Sequence, residues 1–353
     1  MFFVLLSFLQ NEQHKKMIDI KKNYPLDKHN TFGIKCRTKY FASVKTENEL
    51  KEVFESDYVE KYPWLVLGGG SNVLFRGDFP GLIVSMDIKG VQLLEEDDEF
   101  VKIKVAAGED WDELVKNTVE NQFGGLENLS YIPGKAGAAP IQNIGAYGVE
   151  VKDVLERVEF YHAENKSFIT LKKSECKFAY RDSVFKHELK GKVVILYLIL
   201  KLSKKQALKT SYGNIESELK KYEKRNIKNL REIIISTRKA KLPEPEKIGN
   251  AGSFFKNPVV KKSVFLKLKE NHSSMPSYPV NNDKVKIPAA WLIEQCGWKG
   301  KNLGTHGIHD VQPLVLVNHG GATGKDIYSL AKEVQLSIEN KFGILLDMEV
   351  NII

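Results

Sequence analysis

Cysteine is scarce in this sequence of 353 residues. The three cysteines, Cys36, Cys176 and Cys296, lie far apart, and none belongs to a Cys-X-X-Cys motif. An odd number of scattered cysteines argues against a disulfide framework and a zinc site, and it is typical of proteins from reducing compartments. The sequence therefore predicts no metal site and a cytoplasmic location.

Long hydrophobic runs are also lacking. The apolar N-terminal stretch MFFVLLSFLQ is too short to cross a bilayer, has no basic region before it and is followed by no small-residue cleavage site. We interpret it as an upstream extension or a misassigned start, and we predict that residues 1–24 form a poorly ordered N-terminal extension. The rest of the chain contains no solenoid-type repeat.

Charge of one sign is not concentrated in a block, although the net charge is +8, from 53 basic and 45 acidic residues. The densest basic stretch, KKYEKRNIKNLR at residues 220–231, also carries Glu223. Such a surplus is compatible with a nucleic-acid partner, a membrane surface or an anionic small substrate. Because the lysines are dispersed, a solvated surface is favoured, and we predict no nucleic-acid partner and no membrane insertion.

The chain is longer than one hydrophobic core normally supports, so two or three domains are expected. Strand patterns follow Trp64, cover residues 101–105 and recur after Val149 as RVEFY, SFITL and VVILYLILKL. A helical pattern with an acidic first turn lies in EDWDELVKNTVENQFGG, with Gly124 as its stop. This order indicates an α+β fold and not a regular series of strand–helix–strand units.

The C-terminal part is predicted to begin after residues 203–220, where polar and basic residues accumulate. Apolar spacing, prolines and glycines predict three helices there: one from Leu230 that ends before Pro243, one from Pro288 to Gly297, and one from Lys325 to Phe342 with Gly343 as its stop.

The last ten residues, ILLDMEVNII, alternate between apolar and polar side chains and predict a final strand. A strand with one face in water is the simplest interpretation, and it turns Glu349 away from the core. The apolar face would carry Ile344, Leu346, Met348, Val350 and Ile352, and the other face Asp347, Glu349 and Asn351.

Two glycine-rich segments carry the strongest local signals. The first, residues 68–72 (GGGSN), follows a strand pattern, and its consecutive glycines would let backbone N–H groups approach a pyrophosphate. A simple loop is the alternative. The second, PGKAGAAPIQNIGAYG at residues 133–148, has small residues at nearly every position. It could wrap a bulky, rigid ligand or act as an interdomain hinge.

The order of several longer motifs narrows the interpretation. These are NTFG from Asn30, GGGSNVLF, GLENLSYIPGKAGAAPIQNIGAYG, FAYRDSVFK from Phe178, AGSFFKNP from Ala251 and the terminal MEV. With them the chain resembles the MurB family of UDP-N-acetylenolpyruvoylglucosamine reductases from about Pro25 to the C-terminus. The resemblance implies a two-subdomain FAD-binding fold of the vanillyl-alcohol-oxidase-like (PCMH) class over residues 25–210, split near residue 88. An α+β substrate-binding domain would follow over residues 225–353, with its last strand returning to the active site.

The resemblance also implies a reaction and three catalytic residues. NADPH would reduce FAD, and the enolpyruvyl ether of UDP-N-acetylglucosamine would then be reduced to UDP-N-acetylmuramate. Hydride would reach the β-carbon, Ser253 would give the α-carbon its proton, and Arg181 and Glu349 would stabilise the enolate between these steps. Taken alone, Arg181 would pass for a structural ion-pair partner of Asp182, and Ser253 for a loop serine. Neither glycine-rich segment contains a histidine, to which some relatives of this fold attach flavin, so we expect FAD to be non-covalent.

Binding residues follow from the same motifs. The resemblance implies cofactor contacts at Gly68, Gly69, Gly70, Ser71, Asn72, Pro133, Gly134, Gly137, Ala138, Ile141, Gln142, Asn143, Gly145 and Ala146. It implies substrate contacts at Tyr147, Tyr180, Tyr212, Lys241, Asn257, Tyr278, Lys299 and Gln312. Tyr278 lies in SMPSYP, a loop typical of the larger subtype of this family, in which a tyrosine closes over the substrate diphosphate. We expect a monomer.

The chain departs from the family's sequence pattern at two places, and two alternative functions remain. Lys135-Ala136 stands where relatives often carry Thr, Ser or Cys and then Val, and a lysine there would add positive charge beside the flavin. Asn351 stands where many relatives have arginine. A flavin oxidase of the same fold, acting on sugars or alcohols, is the first alternative. A nucleic-acid or membrane-surface binder is the second.

Overall fold

The computed structural model describes residues 18–353. Its first sheet has the strand order β1-β2-β5-β3, in which β2, β3 and β5 are parallel and β1 is antiparallel to β2. In chain order this part contains β1 (Ile20–Pro25), β2 (Arg37–Val44), α1 (Glu47–Phe54), α2 (Asp57–Lys61), β3 (Trp64–Leu67), β4 (Val73–Leu74) and β5 (Phe79–Met86).

The N-terminal prediction is wrong for part of its range. Strand β1 covers Ile20–Pro25 and pairs with β2 from Ile20 opposite Ala42 to Pro25 opposite Arg37. The reason is that β2 offers an open edge whose backbone groups need partners. Residues 1–17, to which the prediction of poor order also applied, lie outside the described residues.

The second sheet is antiparallel throughout, in the order β11-β10-β12-β7-β6. It confirms the four strand patterns predicted for this region. In chain order the elements are β6 (Val91–Glu96), β7 (Phe100–Ala106), α3 (Trp111–Glu120), β8 (Gly145–Ala146), β9 (Val149–Glu150), β10 (Leu155–His162), β11 (Ser167–Lys172) and β12 (Val193–Ser203). Asp110 caps α3, which ends at Glu120, so the stop predicted at Gly124 is four residues late.

Both sheets contribute to one hydrophobic core. Val44 of β2 and Leu82 of β5 are fully buried in it, together with Val105 of β7 and Leu198 of β12. Trp111 fills the space beside them, and its indole N–H donates to the Leu129 carbonyl at 3.0 Å. The first two-thirds of the chain therefore folds around a shared interior.

Glu127 is a buried carboxyl group next to that core. It is 3% exposed, and its Oε2 accepts a hydrogen bond from the Gly125 N–H at 2.6 Å. Burial raises the pKa of Glu127. The folded protein therefore keeps this proton to a higher pH than the unfolded chain does, and the stability that the group contributes is lost as pH rises above the ordinary glutamate range.

We expect Glu127→Gln to raise the free energy of unfolding by about 1 kcal/mol at pH 8. The gain should shrink towards pH 5, because the raised pKa means that a growing fraction of the native carboxyl group is protonated as pH falls. Urea unfolding of the full chain at both pH values measures the effect, with the exposed Glu164→Gln as control. An equal gain at both pH values would contradict the assignment.

The C-terminal part contains two small antiparallel sheets, β13-β18-β17 and β14-β16-β15. The three helices predicted there, α5, α7 and α8, are confirmed. In chain order the elements are α4 (Ile215–Leu219), α5 (Ile227–Lys241), β13 (Gly249–Ser253), β14 (Val259–Lys261), α6 (Lys262–Asn271), β15 (Tyr278–Pro279), β16 (Lys284–Lys286), α7 (Ala289–Gln295), β17 (His306–Ile308), β18 (Val315–Asn318), α8 (Gly324–Phe342) and β19 (Asn351–Ile352).

A second core joins the two ends of the chain. Phe32 and Phe75 pack in it with Leu292 of α7 and Val334 of α8. Strand β19 pairs in parallel with β4, which directly follows the first glycine-rich segment. The C-terminus is thereby held against the N-terminal half. None of the helices within residues 18–353 combines the length and apolarity that crossing a bilayer requires.

Helix α5 packs on the N-terminal half. The Arg231 guanidinium contacts Asp112 of α3 through two hydrogen bonds of 2.7 and 2.9 Å. Leu230 and Ile234 form a small cluster with Leu219 of α4. The predicted division of the chain between residues 210 and 225 places α5 in the C-terminal domain, and that division stays a prediction.

The predicted final strand is mostly wrong. Only Asn351–Ile352 form a strand, while residues 344–350 are irregular apart from a single bridge between Met348 and Phe255. Burial alternates from Ile344 to Asp347 and then breaks, because the side chain of Glu349 is only 11% exposed. Glu349 does point away from the apolar core. It contacts polar groups of the protein, so the prediction that this face lies in water is wrong there.

Candidate active site

The first glycine-rich segment lies at the carboxyl edge of the parallel strands β2, β3 and β5, where open α/β sheets commonly bind ligands. Gly70 has a φ of +66°, and a Cβ there would lie 2.0 Å from the His29 carbonyl oxygen. A Cβ on Gly69 would lie 2.9 Å from the Cα of Gly134. The two glycine-rich segments are therefore in backbone contact, which Ser71 reinforces by donating to the Pro133 carbonyl at 2.9 Å.

Contacts with buried groups of the protein fix the position of the second glycine-rich segment. Gly137 lies against Ala107, where a Cβ would come within 2.5 Å of the Ala107 Cβ. Asn143 is fully buried, and its amide nitrogen donates to Glu150 and to the Ala179 carbonyl, both at 3.0 Å. The Asn143 side chain therefore shapes this segment from the protein interior.

These segments fit a dinucleotide cofactor. The backbone N–H groups of Gly69, Gly70 and Ser71 donate to no acceptor within residues 18–353. Successive free N–H groups around a left-handed glycine form a concavity that binds phosphate oxygens. The small side chains of the second segment leave its backbone accessible to a flat ring system. This donor set matches the pyrophosphate and flavin of the predicted FAD.

We expect Gly69→Ala to lower the affinity for FAD at least about tenfold, because the new methyl group pushes the two segments apart. FAD retained by the purified variant, measured from its visible spectrum, tests this. Gly77→Ala is the matched control, since a Cβ at Gly77 meets no atom within 4 Å. Full FAD content in the Gly69 variant would contradict the assignment of the two glycine-rich segments as the FAD site.

Arg181 and Glu349 form an ion pair across the two halves of the chain. The guanidinium Nε lies 2.9 Å from Glu349 Oε1, and a terminal nitrogen donates to the Gly145 carbonyl at 2.6 Å. Arg181 has a φ of +54°, an uncommon backbone conformation at the turn that presents its side chain. Burial raises the pKa of Glu349, and the Arg181 charge opposes that rise.

Asn72 and Gln142 connect this ion pair to both glycine-rich segments. Gln142 Nε2 donates to Glu349 Oε1 at 3.3 Å, and Asn72 Nδ2 donates to Gln142 Oε1 at 3.1 Å. Asn72 also accepts a hydrogen bond from the Asn351 side chain at 3.0 Å through its carbonyl oxygen. Asn351 stands where many relatives have arginine, and its uncharged side chain donates a hydrogen bond to the backbone of the first segment.

Ser253 ends β13, directly after Gly252 with its φ of +68°. The next residue, Phe254, accepts a hydrogen bond from the Glu349 N–H at 2.8 Å, so Ser253 lies one residue from the backbone contact that holds Glu349. Its hydroxyl is half-buried and makes no hydrogen bond to any residue of the described chain. It is available to a ligand.

Four predicted substrate residues are tyrosines, and two of them are in ring contact. The rings of Tyr147 and Tyr212 meet edge to face, with centroids 5.6 Å apart. Burial raises the pKa of Tyr212, and the neighbouring Tyr278 raises it further. Tyr180 adjoins Arg181, whose guanidinium lies 5.4 Å from its ring centroid. Tyr212 and Tyr278 are about half exposed, so their rings remain accessible.

Lys286 joins this group and was missed by the sequence analysis. Its ammonium nitrogen lies 4.5 Å from the Tyr180 ring centroid, and in the β15–β16 hairpin it pairs with Tyr278. Burial and the nearby Arg181 lower the pKa of Lys286. The polar turn Asn281-Asn282-Asp283 was the signal available in the sequence. It predicts a hairpin in which Lys286 lies opposite Tyr278.

The remaining predicted substrate residues are more dispersed. Asn257 accepts a hydrogen bond from the Ala289 N–H at 2.8 Å, at the start of α7. Gln312 lies in the loop before β18, and its carbonyl accepts from Val315, the partner of Ser253. Lys299 pairs with Glu294 at 2.8 Å, and Lys241 is exposed at the end of α5. Among residues 18–353, the Arg181–Glu349 pair has no direct contact with either lysine.

Arg238 is a second residue that the sequence analysis missed. Its Nε donates to the Tyr131 carbonyl at 3.0 Å, just before the second glycine-rich segment, and burial lowers its pKa. Its charge also acts on Tyr147. Arg231 and Arg238 stand seven residues apart on α5 and so share one helix face, which was the available signal.

Lys135 does not present an isolated charge, which corrects the expectation drawn from its position. Its ammonium nitrogen lies 2.5 Å from Asp87 Oδ1 and donates to the Met86 carbonyl at 2.8 Å. The positive charge predicted beside the cofactor is therefore compensated by a carboxylate from the end of β5. The pairing could not be read from the local sequence, because the two residues are 48 positions apart.

Comparison with known proteins identifies the family to which the chain is similar. Residues 244–353 match the family described as UDP-N-acetylenolpyruvoylglucosamine reductase, C-terminal domain, and residues 38–168 match a family described as FAD binding domain. A UDP-N-acetylenolpyruvoylglucosamine reductase from Flavobacterium johnsoniae is 43% identical over 339 residues, covering 95% of this chain and 100% of the relative. One from Bacteroides fragilis is 44% identical over 334 residues, with the same coverage.

One solved structure shares the fold over nearly the whole chain. The crystal structure of the enzyme of that name from Thermus caldophilus superposes with a TM-score of 0.63 at 22% identity, covering 95% of this chain and 98% of the other. At that identity the likeness supports the architecture alone. The sequence-based prediction of an α+β flavoprotein fold with an FAD-binding part followed by a distinct C-terminal part is confirmed.

Proposed function

The chain belongs to the UDP-N-acetylenolpyruvoylglucosamine reductase family, and on that premise we propose that it reduces UDP-N-acetyl-3-O-(1-carboxyvinyl)-glucosamine to UDP-N-acetylmuramate with NADPH. It is an FAD-dependent oxidoreductase of peptidoglycan synthesis. The observation that carries the proposal is the Arg181–Glu349 ion pair, held against both glycine-rich segments through Gly145 and Gln142.

Bound FAD supplies the hydride-transfer chemistry between NADPH and the enol ether. The residues proposed to hold it are those of the two glycine-rich segments. Gly69, Gly70 and Ser71 offer backbone N–H groups to its pyrophosphate, while residues 133–146 supply a wall of small side chains. Gln142 donates a hydrogen bond from that wall to Glu349, which supports the proposal that the cofactor and the ion pair share one site.

Arg181 is proposed to stabilise the charge that develops during reduction. When hydride adds to the β-carbon of the enol ether, negative charge spreads over the α-carbon and its carboxylate. A guanidinium can hold such a planar anion with two parallel hydrogen bonds. Contacts with Glu349 and the Gly145 carbonyl fix its orientation before the substrate arrives, so little reorganisation is required.

Ser253 is proposed to protonate the α-carbon. A hydroxyl is a weak acid, but an enolate carbon is a strong base, so the transfer is feasible when the hydroxyl is well placed. The Ser253 hydroxyl has no acceptor among the described residues, and its strand is held to Glu349 through Phe254. Glu349 would act with Arg181 on the enolate, and the raised pKa of Glu349 makes the carboxyl group suited to hold a proton there.

Substrate binding is proposed to involve the tyrosines and several polar groups around this centre. Tyr180 lies beside Arg181, Tyr147 contacts Tyr212, and the β15–β16 hairpin carries Tyr278, which is 53% exposed. That hairpin is the proposed cover for the diphosphate. The further proposed contacts are Lys241, Asn257, Lys299 and Gln312. We also propose a cytoplasmic, monomeric enzyme.

An anaerobic two-step spectrum tests the function. NADPH is added to the purified protein until the flavin bands bleach, and the enolpyruvyl UDP-sugar is then added. Prompt return of the oxidised spectrum is the expected result. A protein that is bleached but recovers only with oxygen and reduces no enolpyruvyl substrate would overturn the proposal in favour of an oxidase.

A further inference from the structure

A partly buried polar cluster lies where strand β5 ends, beside the first glycine-rich segment. Asp87 directly follows β5, and its Oδ1 lies 2.5 Å from the Lys135 ammonium nitrogen. Its Oδ2 accepts hydrogen bonds from Ser43 at 2.7 Å and Ser85 at 2.9 Å. Each carboxylate oxygen of Asp87 is therefore satisfied, and the lysine has two acceptors, Asp87 and the Met86 carbonyl.

This ion pair borders the proposed cofactor wall. Lys135 belongs to the second glycine-rich segment, and a Cβ on Gly68 would lie 3.6 Å from the Lys135 Cβ. The side chains of Lys135 and Asp87 are only 20% and 29% exposed. A charge at this position acts through a partly desolvated medium and is screened less by solvent than a surface charge would be.

The cluster as a whole is electrically neutral. Burial opposes ionisation of Asp87, but hydrogen bonds from Lys135 and Ser43 outweigh it and lower the pKa of Asp87. His29 faces the same pair, and burial lowers its pKa, so its ring is largely uncharged at neutral pH. The nearby Glu109 carboxylate has its own partners, the Gly90 N–H at 2.6 Å and Lys89 at 3.7 Å.

We propose that Asp87 compensates the charge of Lys135 at the wall of the FAD site and thereby sets the affinity of the protein for FAD. The inference rests on the proposed assignment of the two glycine-rich segments as that site. FAD carries two negative charges on its pyrophosphate, so an uncompensated lysine would strengthen binding and an uncompensated aspartate would weaken it. The paired state gives an intermediate affinity, and Asp87 is a positioning and compensating residue that acts through Lys135.

Three variants of the full-length holoenzyme test the sign of this effect. Asp87→Asn keeps one carbonyl oxygen that can accept from Lys135, and its amide nitrogen can donate to the Ser43 and Ser85 hydroxyl oxygens. The variant leaves the lysine charge uncompensated, so the dissociation constant for FAD should fall about tenfold. Lys135→Met leaves the Asp87 carboxylate with its two serine donors at Oδ2 and without the lysine at Oδ1, so the dissociation constant for FAD should rise about tenfold. The double variant is neutral again and should return close to the native affinity. Fluorescence of FAD released on dilution gives each dissociation constant.

The direction of the change in FAD affinity distinguishes charge compensation from a purely structural role of the ion pair. If the ion pair only tied the two segments together, both single variants would lose FAD more readily and the double variant would not recover. That result, or unchanged affinity in both single variants, would overturn the inference. A native protein that binds no FAD would instead overturn the proposed cofactor site itself, so the two failures are distinguishable.

Discussion

Replacement of Ser253 by alanine should remove product formation while leaving reduction of the flavin by NADPH intact. We expect turnover to fall by about 10²–10⁴, the range for loss of a positioned proton donor. The Ser253 hydroxyl makes no hydrogen bond to the described chain, so its removal disturbs no internal contact. Bleaching by NADPH and recovery on addition of the enolpyruvyl substrate are measured separately by stopped-flow absorbance.

The exposed Ser274→Ala serves as the matched control and should behave like the native protein. Deuterium incorporation gives a second readout. Because the Ser253 proton is proposed to reach the α-carbon, product formed slowly by the alanine variant in deuterated water should lose its stereochemical uniformity at that carbon. Native rates of flavin recovery in the Ser253 variant would exclude the proposed role.

Arg181→Lys should lower turnover by about 10²–10³ at saturating substrate, although the positive charge is kept. The native guanidinium contacts Glu349 and the Gly145 carbonyl through separate nitrogens, and it still has donors left for a planar anion. A single ammonium group cannot reproduce that geometry. The loss should fall on recovery of the flavin spectrum by substrate, and FAD content should stay native.

Arg225→Lys is the control for this substitution, because Arg225 forms an exposed ion pair with Glu216. A loss of FAD that accompanies the loss of turnover in the Arg181 variant would show that the arginine supports the cofactor wall instead of the reaction. A variant with native turnover would contradict the proposed stabilisation of the enolate.

Much of the local structure could be predicted from the sequence. Helices α3, α5, α7 and α8 follow from apolar spacing with capping and stop residues, β7 follows from period-two alternation, and β10, β11 and β12 follow from strand-like runs. These signals are local, so they survive without knowledge of the fold. The family motifs named the candidate site residues because each motif is long and irregular.

The predictions that were wrong concern side chains whose positions depend on contacts between distant parts of the chain. Alternation at the C-terminus suggested a strand with Glu349 in water, but Arg181 and Phe254 decide where that side chain lies. Local sequence likewise placed Lys135 beside the cofactor without its partner Asp87. Periodicity reports which face of an element is apolar, and it does not report which polar group will cover a charge.

The parallel pairing of β19 with β4 also determines the order in which the site can be built during synthesis. The hydrogen bond between Asn351 and the Asn72 carbonyl can form only after Asn351 has been synthesised, 279 positions later in the chain. On the ribosome, both glycine-rich segments emerge long before Glu349 does, so a nascent chain holds the cofactor cradle without the carboxylate that completes it. Closing so long a loop slows folding more than it weakens the folded state, since its entropic cost grows only with the logarithm of length. Assembly of the proposed catalytic centre is therefore a late event, which requires the chain from Asn72 to Glu349 to be present.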